Sequence, residues 1–262
     1  TCRLFVSAYV EESGIEPHRT STQPPRPEVE PPLRQIYGPE IMLEPGASHE
    51  FIWRIDDIGG VPIAAVGVEL SASRRASGTV YLDYLTWDGE PDVVLGRPAG
   101  GGTMWRQAWV NAISRFDGWW PEPYRLIQNE GMGLLIQGTR EWRDYHVHAA
   151  VTPHMATSAG IGARVQGLRR YYALLLCHGR KARLVKALDG DHVLAETDFP
   201  WEFGNSYDLR LQVSGPRIQG WINGQRIFDV QDTERPLESG AVALLCEEGR
   251  MATDAVTVRP AD

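Results

Sequence analysis

The sequence predicts an all-β protein of two tandem antiparallel β-sandwiches of jelly-roll type, with few and short helices. Three observations carry this. Short runs of β-branched and aromatic residues recur along the chain, set apart by Gly, Pro, Asn and Asp. No extended 3.6-residue apolar period with caps is present, so long helices are not expected. The break Pro98-Ala99-Gly100-Gly101-Gly102 divides the 262 residues into parts long enough for a core each. The expected division is a first sandwich over 1–97, an aromatic-rich linker over 98–123 and a second sandwich over 124–262.

In the first part, strands are expected at Arg3–Val10, Arg34–Leu43, His49–Ile55, Ile63–Ser71 and Thr79–Trp87. The proline-rich stretch Glu16–Pro32 cannot sit inside a sheet, because proline lacks the ladder donor, and reads as a long loop of polyproline character. Five or six strands are few for a sandwich, so the expectation is either a chain cut from a longer protein or a module incomplete on its own. The linker holds Trp105, Trp109, Phe116, Trp119, Trp120 and Tyr124, with one or two helical turns over Met104–Ile113. Its tryptophans read as packing between the modules, with an exposed stacking platform as the alternative.

The second part carries a dozen expected strands. They run from Tyr124–Asn129 and Gly133–Gln137 through Asp144–Val151, Gly160–Gln166, Tyr171–Cys177, Ala182–Leu188 and His192–Glu196. Tyr207–Val213, Arg217–Ile222, Gln225–Val230, Gly240–Cys246 and Ala255–Arg259 follow. Asn223-Gly224 is the strongest hairpin-turn signal in the chain.

Composition narrows the function. The net charge of −8 argues against nucleic-acid binding; the one basic run, from Arg164 to Lys186, reads as a solvated sheet face, with service to an anionic or polyhydroxylated ligand as the alternative. No run approaches the ~18 apolar residues of a membrane span. Neither a signal peptide nor a disulfide framework is visible in Cys2, Cys177 and Cys246, so a cytoplasmic setting is the expectation.

The candidate chemistry is a sugar site. Arg164 and Gln166 share one strand face and could bond vicinal hydroxyls. Tyr171, Tyr172, Arg183 and Trp201 could complete the set with an aromatic surface, unless these are structural cross-strand pairs. Glu196-Thr197-Asp198-Phe199-Pro200-Trp201-Glu202 approaches the paired-carboxylate pattern of sandwich glycanases, but Pro200 and the spacing break it, and a turn is expected. His146 and His148, with His154 beyond, could chelate zinc or copper; a solvent-facing strand surface is the plainer reading. Asp83 and Asp254 are weak candidates for a structural calcium, and no other cofactor is implied.

Gly162–Leu176 and Trp221–Asp229 resemble the concanavalin-like sandwich of laminin-G and keto-disaccharide-hydrolase-type domains. Gly78–Leu85 resembles the last strand of galactose-binding-like jelly rolls. Together with Trp105–Trp109 and Trp119-Trp120-Pro121-Glu122-Pro123, the arrangement looks like the C-terminal accessory region of bacterial ADP-ribosylglycohydrolase-family proteins. That family's catalytic domain is helical with Asp-held metals, and nothing here matches it. The resemblance implies a binding module for a glycan or ADP-ribose-like ligand, partnered with a catalytic domain of the parent protein. The alternatives are a glycoside hydrolase using Glu130, Glu141 and Glu202, and a structural or oligomerisation module.

Overall fold

The structure is a computed structural model that describes residues 1–10, 32–56, 58–75, 77–99, 102–117 and 122–261. It is all-β, with antiparallel strands throughout and a single short 3₁₀ turn among the described residues. The chain divides into two units. One is Thr1–Thr86 with Pro98–Ala108, the other Trp87–Arg97 with Trp109–Asp262.

The first unit contains β1 (Cys2–Tyr9), β2 (Leu33–Tyr37) and β3 (Ile63–Leu70), in the order β2-β1-β3. Arg3 and Glu69 face each other across β1 and β3, form a 2.6 Å ion pair, and Arg3 also lies 3.7 Å from the Tyr37 ring centre. At Gly67 a Cβ would come within 2.7 Å of the Phe5 ring, so a larger residue there would displace that ring. The expected strands His49–Ile55 and Thr79–Trp87 are not formed. Apolar runs alone predicted them, but a strand also needs a ladder partner for its backbone. Val80, Leu82 and Leu85 instead line a cleft of about 320 Å³ with Leu4, Val66, Val68 and Leu70. The described part of this unit is therefore one three-stranded sheet rather than a two-sheet sandwich. The proline-rich stretch lies, but for Pro32, outside the described residues. The helical turn expected over Met104–Ile113 is a 3₁₀ turn at Met104–Ala108.

The second unit contains β4 (Val93–Gly96), β5 (Val110–Ala112), β6 (Arg115–Asp117), β7 (Tyr124–Gln137) and β8 (Tyr145–His154). Next come β9 (Ser158–Gly167), β10 (Arg170–Cys177), β11 (Lys181–Leu188) and β12 (Asp191–Asp198). The chain then forms β13 (Tyr207–Ser214), β14 (Arg217–Ile222), β15 (Gln225–Gln231), β16 (Ala241–Thr253) and β17 (Ala255–Pro260). Two layers result. Sheet I runs β15-β14-β13-β8-β17-β4, and sheet II runs β12-β11-β10-β9-β16-β7, with β5 and β6 along the outside of β7. The long β16 also pairs with the end of β8, which joins the layers. Two short segments of the expected linker are thus sheet, Val110–Ala112 and Arg115–Asp117 pairing with β7. Val93–Gly96, expected in the first sandwich, pairs with β17 of this unit. Trp109 and Phe116 pack on Tyr124 at ring-centre distances of 5.2 and 5.9 Å, inside this unit. Trp119 and Trp120 lie outside the described residues.

Alternation sets the two faces of each sheet. Val147, Ala149, Leu209, Leu211 and Ile218 of sheet I are buried, as are Leu174, Leu176 and Leu184 of sheet II. Leu174 reaches across to Gly220, where a Cβ would sit 3.3 Å from its methyl. Burying one such side chain contributes roughly 1.5–3 kcal/mol. Asn223 and Gly224 both have positive φ, the geometry of the predicted tight turn between β14 and β15.

Two buried polar knots tie loops to this frame. In the first, the Tyr145 hydroxyl accepts from the Arg164 amide at 2.6 Å and donates toward the carbonyls of Gly240 and Ala241 at 2.8 and 2.9 Å. In the second, Lys186 bonds Asp232 at 2.7 Å and the Arg235 carbonyl at 2.9 Å, while Tyr172 donates to Asp232 at 2.6 Å. Burial works to raise the Asp232 carboxyl pKa, but the bonds from Lys186 and Tyr172 outweigh it and hold the group below its ordinary value. Its stabilising contribution is therefore complete above the unfolded-state value near ~3.9 and is lost as pH falls through the lower folded value. Asp232→Asn should cost about 3–5 kcal/mol at pH 7 by leaving Lys186 buried without its counter-ion. In thermal melts the gap to the parent protein should shrink below about pH 4; an equal gap at pH 7 and pH 3 would contradict this account.

Candidate functional site

The six residues expected to meet on one ligand face do not share one. Arg164 is 1% exposed and points into the sandwich. Its guanidinium donates to the carbonyls of Arg143, Gly215 and Leu237 and to Asp144, all at 2.7–3.0 Å. Tyr172 is fully buried on the inner face, in the Lys186–Asp232 knot. Trp201 is buried and donates its Nε1 proton to the Cys177 carbonyl at 2.8 Å. Gln166 bonds the Ser239 carbonyl at 2.9 Å. These four serve the fold. The physical reason is the β-bulge between Gly162 and Val165, where Arg164 adopts φ +49° and turns its side chain inward, so simple alternation from Gln166 fails.

Tyr171 and Arg183 do lie on the outer face of sheet II. The middle of that face is apolar. Tyr171, Leu175, Cys177 and Val185 point away from sheet I yet are only 4–7% exposed, over a floor of Ala173, Ala187, Ala241 and Ala243. Burial pushes the Tyr171 hydroxyl up to about 12 and the Cys177 thiol to about 11. Charges gather at one end, where Arg183 bonds Glu196 at 2.6 Å, Lys181 bonds Asp198 at 2.7 Å and Ser158 bonds Glu247 at 2.7 Å. Glu196 and Asp198 are thus neutralised within β11–β12. Glu202, beyond Pro200, pairs instead with Arg180 at 3.0 Å. Glu141 bonds Thr139, and Glu130 is exposed near the Gly131 turn, so the three glutamates of the hydrolase alternative have separate local surroundings.

The outer face of sheet I has the opposite character. Registered pairing sets five side chains in a row across five strands: Arg259, His146, Gln212, Gln219 and Asp229. A second row beside it holds Thr257, His148, Arg210, Trp221 and Arg226. Trp221 is half-buried in the middle of this polar surface, with the Arg210 guanidinium 5.0 Å from its ring centre. Arg210 also bonds Gln212 at 2.8 Å and approaches His146 at 3.4 Å. Arg217 grips Asp229 through two bonds of 2.8 and 2.6 Å, and Gln219 adds a third at 3.1 Å. Arg217 foremost, then Gln219, holds the Asp229 carboxyl down at about 2, so it is ionised at any working pH. Planar donors and acceptors held rigidly beside a tryptophan can bond ring hydroxyls while the indole covers an apolar sugar face.

His146 and His148 face solvent on this surface, His148 bonding Asp208 at 2.7 Å. Among the described residues no three of His, Cys, Asp or Glu gather as a metal site would require, and Asp83 and Asp254 join no such group.

No protein-family model and no curated protein matches the chain. Solved structures do. The carbohydrate-binding module CBM66 from Bacillus subtilis superposes with a TM-score of 0.53 at 14% identity, over 58% of this chain and 95% of that one. A Bacillus subtilis protein of unknown function with a galectin-like fold gives 0.51 at 14% identity, over 66% of this chain and 97% of that one. The first unit alone is too small to supply such coverage. The shared fold is an antiparallel β-sandwich of jelly-roll type. At this identity the likeness concerns the fold alone.

Reading the sequence by local motif missed Arg210, Gln212, Gln219 and Trp221. The signal was present as strict alternation, Asp208-Leu209-Arg210-Leu211-Gln212-Val213 and Arg217-Ile218-Gln219-Gly220-Trp221-Ile222, which puts a tryptophan among polar outward residues. Arg164→Ala should behave as a stability variant. Loss of its buried bonds is expected to cost at least ~3 kcal/mol, or roughly 6 °C in melting temperature for a domain of this size. A melting temperature within a degree of the parent protein would refute the structural role.

Proposed function

We propose that the second unit is a non-catalytic carbohydrate-binding module whose ligand lies on the outer face of sheet I, around Trp221. The observation that carries this reading is Trp221 itself, half-buried among Arg210, Gln212, Gln219 and Asp229, all held in fixed geometry by their neighbours. Galectin-like and carbohydrate-binding-module neighbours support the reading at the level of the fold. The ligand is a glycan or an ADP-ribose-like glycoside, whose ribose or base can stack on the same indole. The partner is a glycohydrolase domain in the parent protein. Sequence resemblance alone supports that accessory role, and the structural neighbours do not add to it. Binding without turnover fits the carboxylates. Glu196, Asp198, Glu202 and Asp229 are each held by a Lys or Arg, and Arg183 and Arg217 hold the Glu196 and Asp229 carboxyls below their ordinary values, away from the range a general acid needs.

A glycan array supplemented with ADP-ribose, probed with the intact chain, tests this. Trp221→Ala should weaken every retained ligand about tenfold or more, as loss of a central aromatic anchor does. The melting temperature should fall by no more than a few degrees, because the Arg210 contact contributes only ~0.5–1 kcal/mol. Arg183→Ala, on the opposite sheet, should leave binding unchanged. Undiminished binding by the Trp221 variant, or loss of binding in the Arg183 variant, would move the site elsewhere.

A further inference from the structure

We infer that the ligand of sheet I is an extended, unbranched oligosaccharide lying across the strands, rather than a single terminal sugar. This rests on the glycan-binding reading above and specifies the shape of what is bound. The row Arg259, His146, Gln212, Gln219 and Asp229 crosses β17, β8, β13, β14 and β15 at right angles to the strands. Successive members are one strand apart, about 4.8 Å, so the row spans roughly 19 Å.

An extended pyranose chain advances by close to one strand spacing per sugar. Each ring laid along the row therefore meets a new planar side chain, and the ring–row register holds along its length. The second row places Trp221 on β14, beside Gln219, where it can cover the sugar next to the β15 end of such a chain. A pocket for one terminal sugar would look different. It would converge its donors on one point and wall them in, as ligand pockets do. Here the polar groups are spread over five neighbouring strands at one level. No donor is far out of line, because all stand on paired strands in one register.

The ends of the row are built unlike its middle. Gln212 and Gln219 are 7% and 8% exposed and form its floor. Arg259, bonded to Asp92, and Asp229, bonded to Arg217, stand at the two ends, with Arg259 more open to solvent than the floor. A short ligand seated over Trp221 reaches Gln219 and Asp229 but not Arg259, three strands away, whereas a longer one also meets that far end.

The test is a length series on the intact chain. Linear β-1,4-xylo-, β-1,4-gluco- and β-1,3-gluco-oligosaccharides of one to six units are titrated by calorimetry, beside every linear hit from the array. For a binding series, affinity should rise about tenfold or more between one and four units and level off beyond five. Arg259→Ala should weaken the pentasaccharide about threefold and leave the disaccharide unchanged. Equal affinity for the monosaccharide and hexasaccharide, or loss confined to capped non-reducing ends, would overturn the chain-like ligand while leaving glycan binding intact. Binding to no glycan, in the series or on the array, would instead refute the module's proposed function.

Discussion

The fold of the second unit depends on one buried contact, the Tyr145 hydroxyl between the Arg164 amide and the Gly240–Ala241 carbonyls. Three strands that are far apart in sequence start or bend there. β8 begins at Tyr145, β9 bulges at Arg164, and β16 begins after Gly240. No side chain larger than hydrogen fits at Gly240, since a Cβ would stand 2.5 Å from the Arg164 carbonyl carbon. The bulge then sends the Arg164 guanidinium inward to close the Gly215 turn and the loop at Leu237. Those loops fix where β14 starts and where β15 is left, so the register of sheet I is coupled to a contact on sheet II.

Register in turn makes the candidate site. A slip of one residue in β13 or β14 would bring Leu211 or Ile218 outward and send Gln212 or Gln219 into the core. The apolar inner face forbids this, because polar amides would be buried without partners while leucines met water. The surface rows are therefore enforced from behind, by residues that never touch a ligand. The outer face of sheet II obeys the same alternation with the opposite content, alanine and leucine where sheet I has glutamine and arginine.

Much of the fold could be read from the sequence, and less of the site. The all-β class, the strands of the second unit and the Asn223-Gly224 turn follow from local pattern, and local pattern decides them physically. The expected strands His49–Ile55 and Thr79–Trp87 failed because ladder partners are non-local. Arg164 and Tyr172 looked like ligand groups because each is a polar residue in an apolar strand. Whether such a residue faces water or a buried knot depends on a bulge and on a loop 60 or more residues away. Tyr171 and Arg183 do stand on an outer face, but their strands' apolar neighbours make that face a second core. Trp221 was treated as part of a hairpin signature, although its parity already set it among the polar residues.

The alternation of β13 and β14 also separates two kinds of inheritance within one strand. Odd positions of β13 carry the core, and even positions carry the surface rows. Substitutions at the even positions change which hydroxyl pattern is recognised without touching the packing that keeps the domain folded. A scaffold of this kind can diversify its specificity rapidly while its architecture stays constant. Sequence identity between two such domains would then fall fastest at the positions that define their ligands.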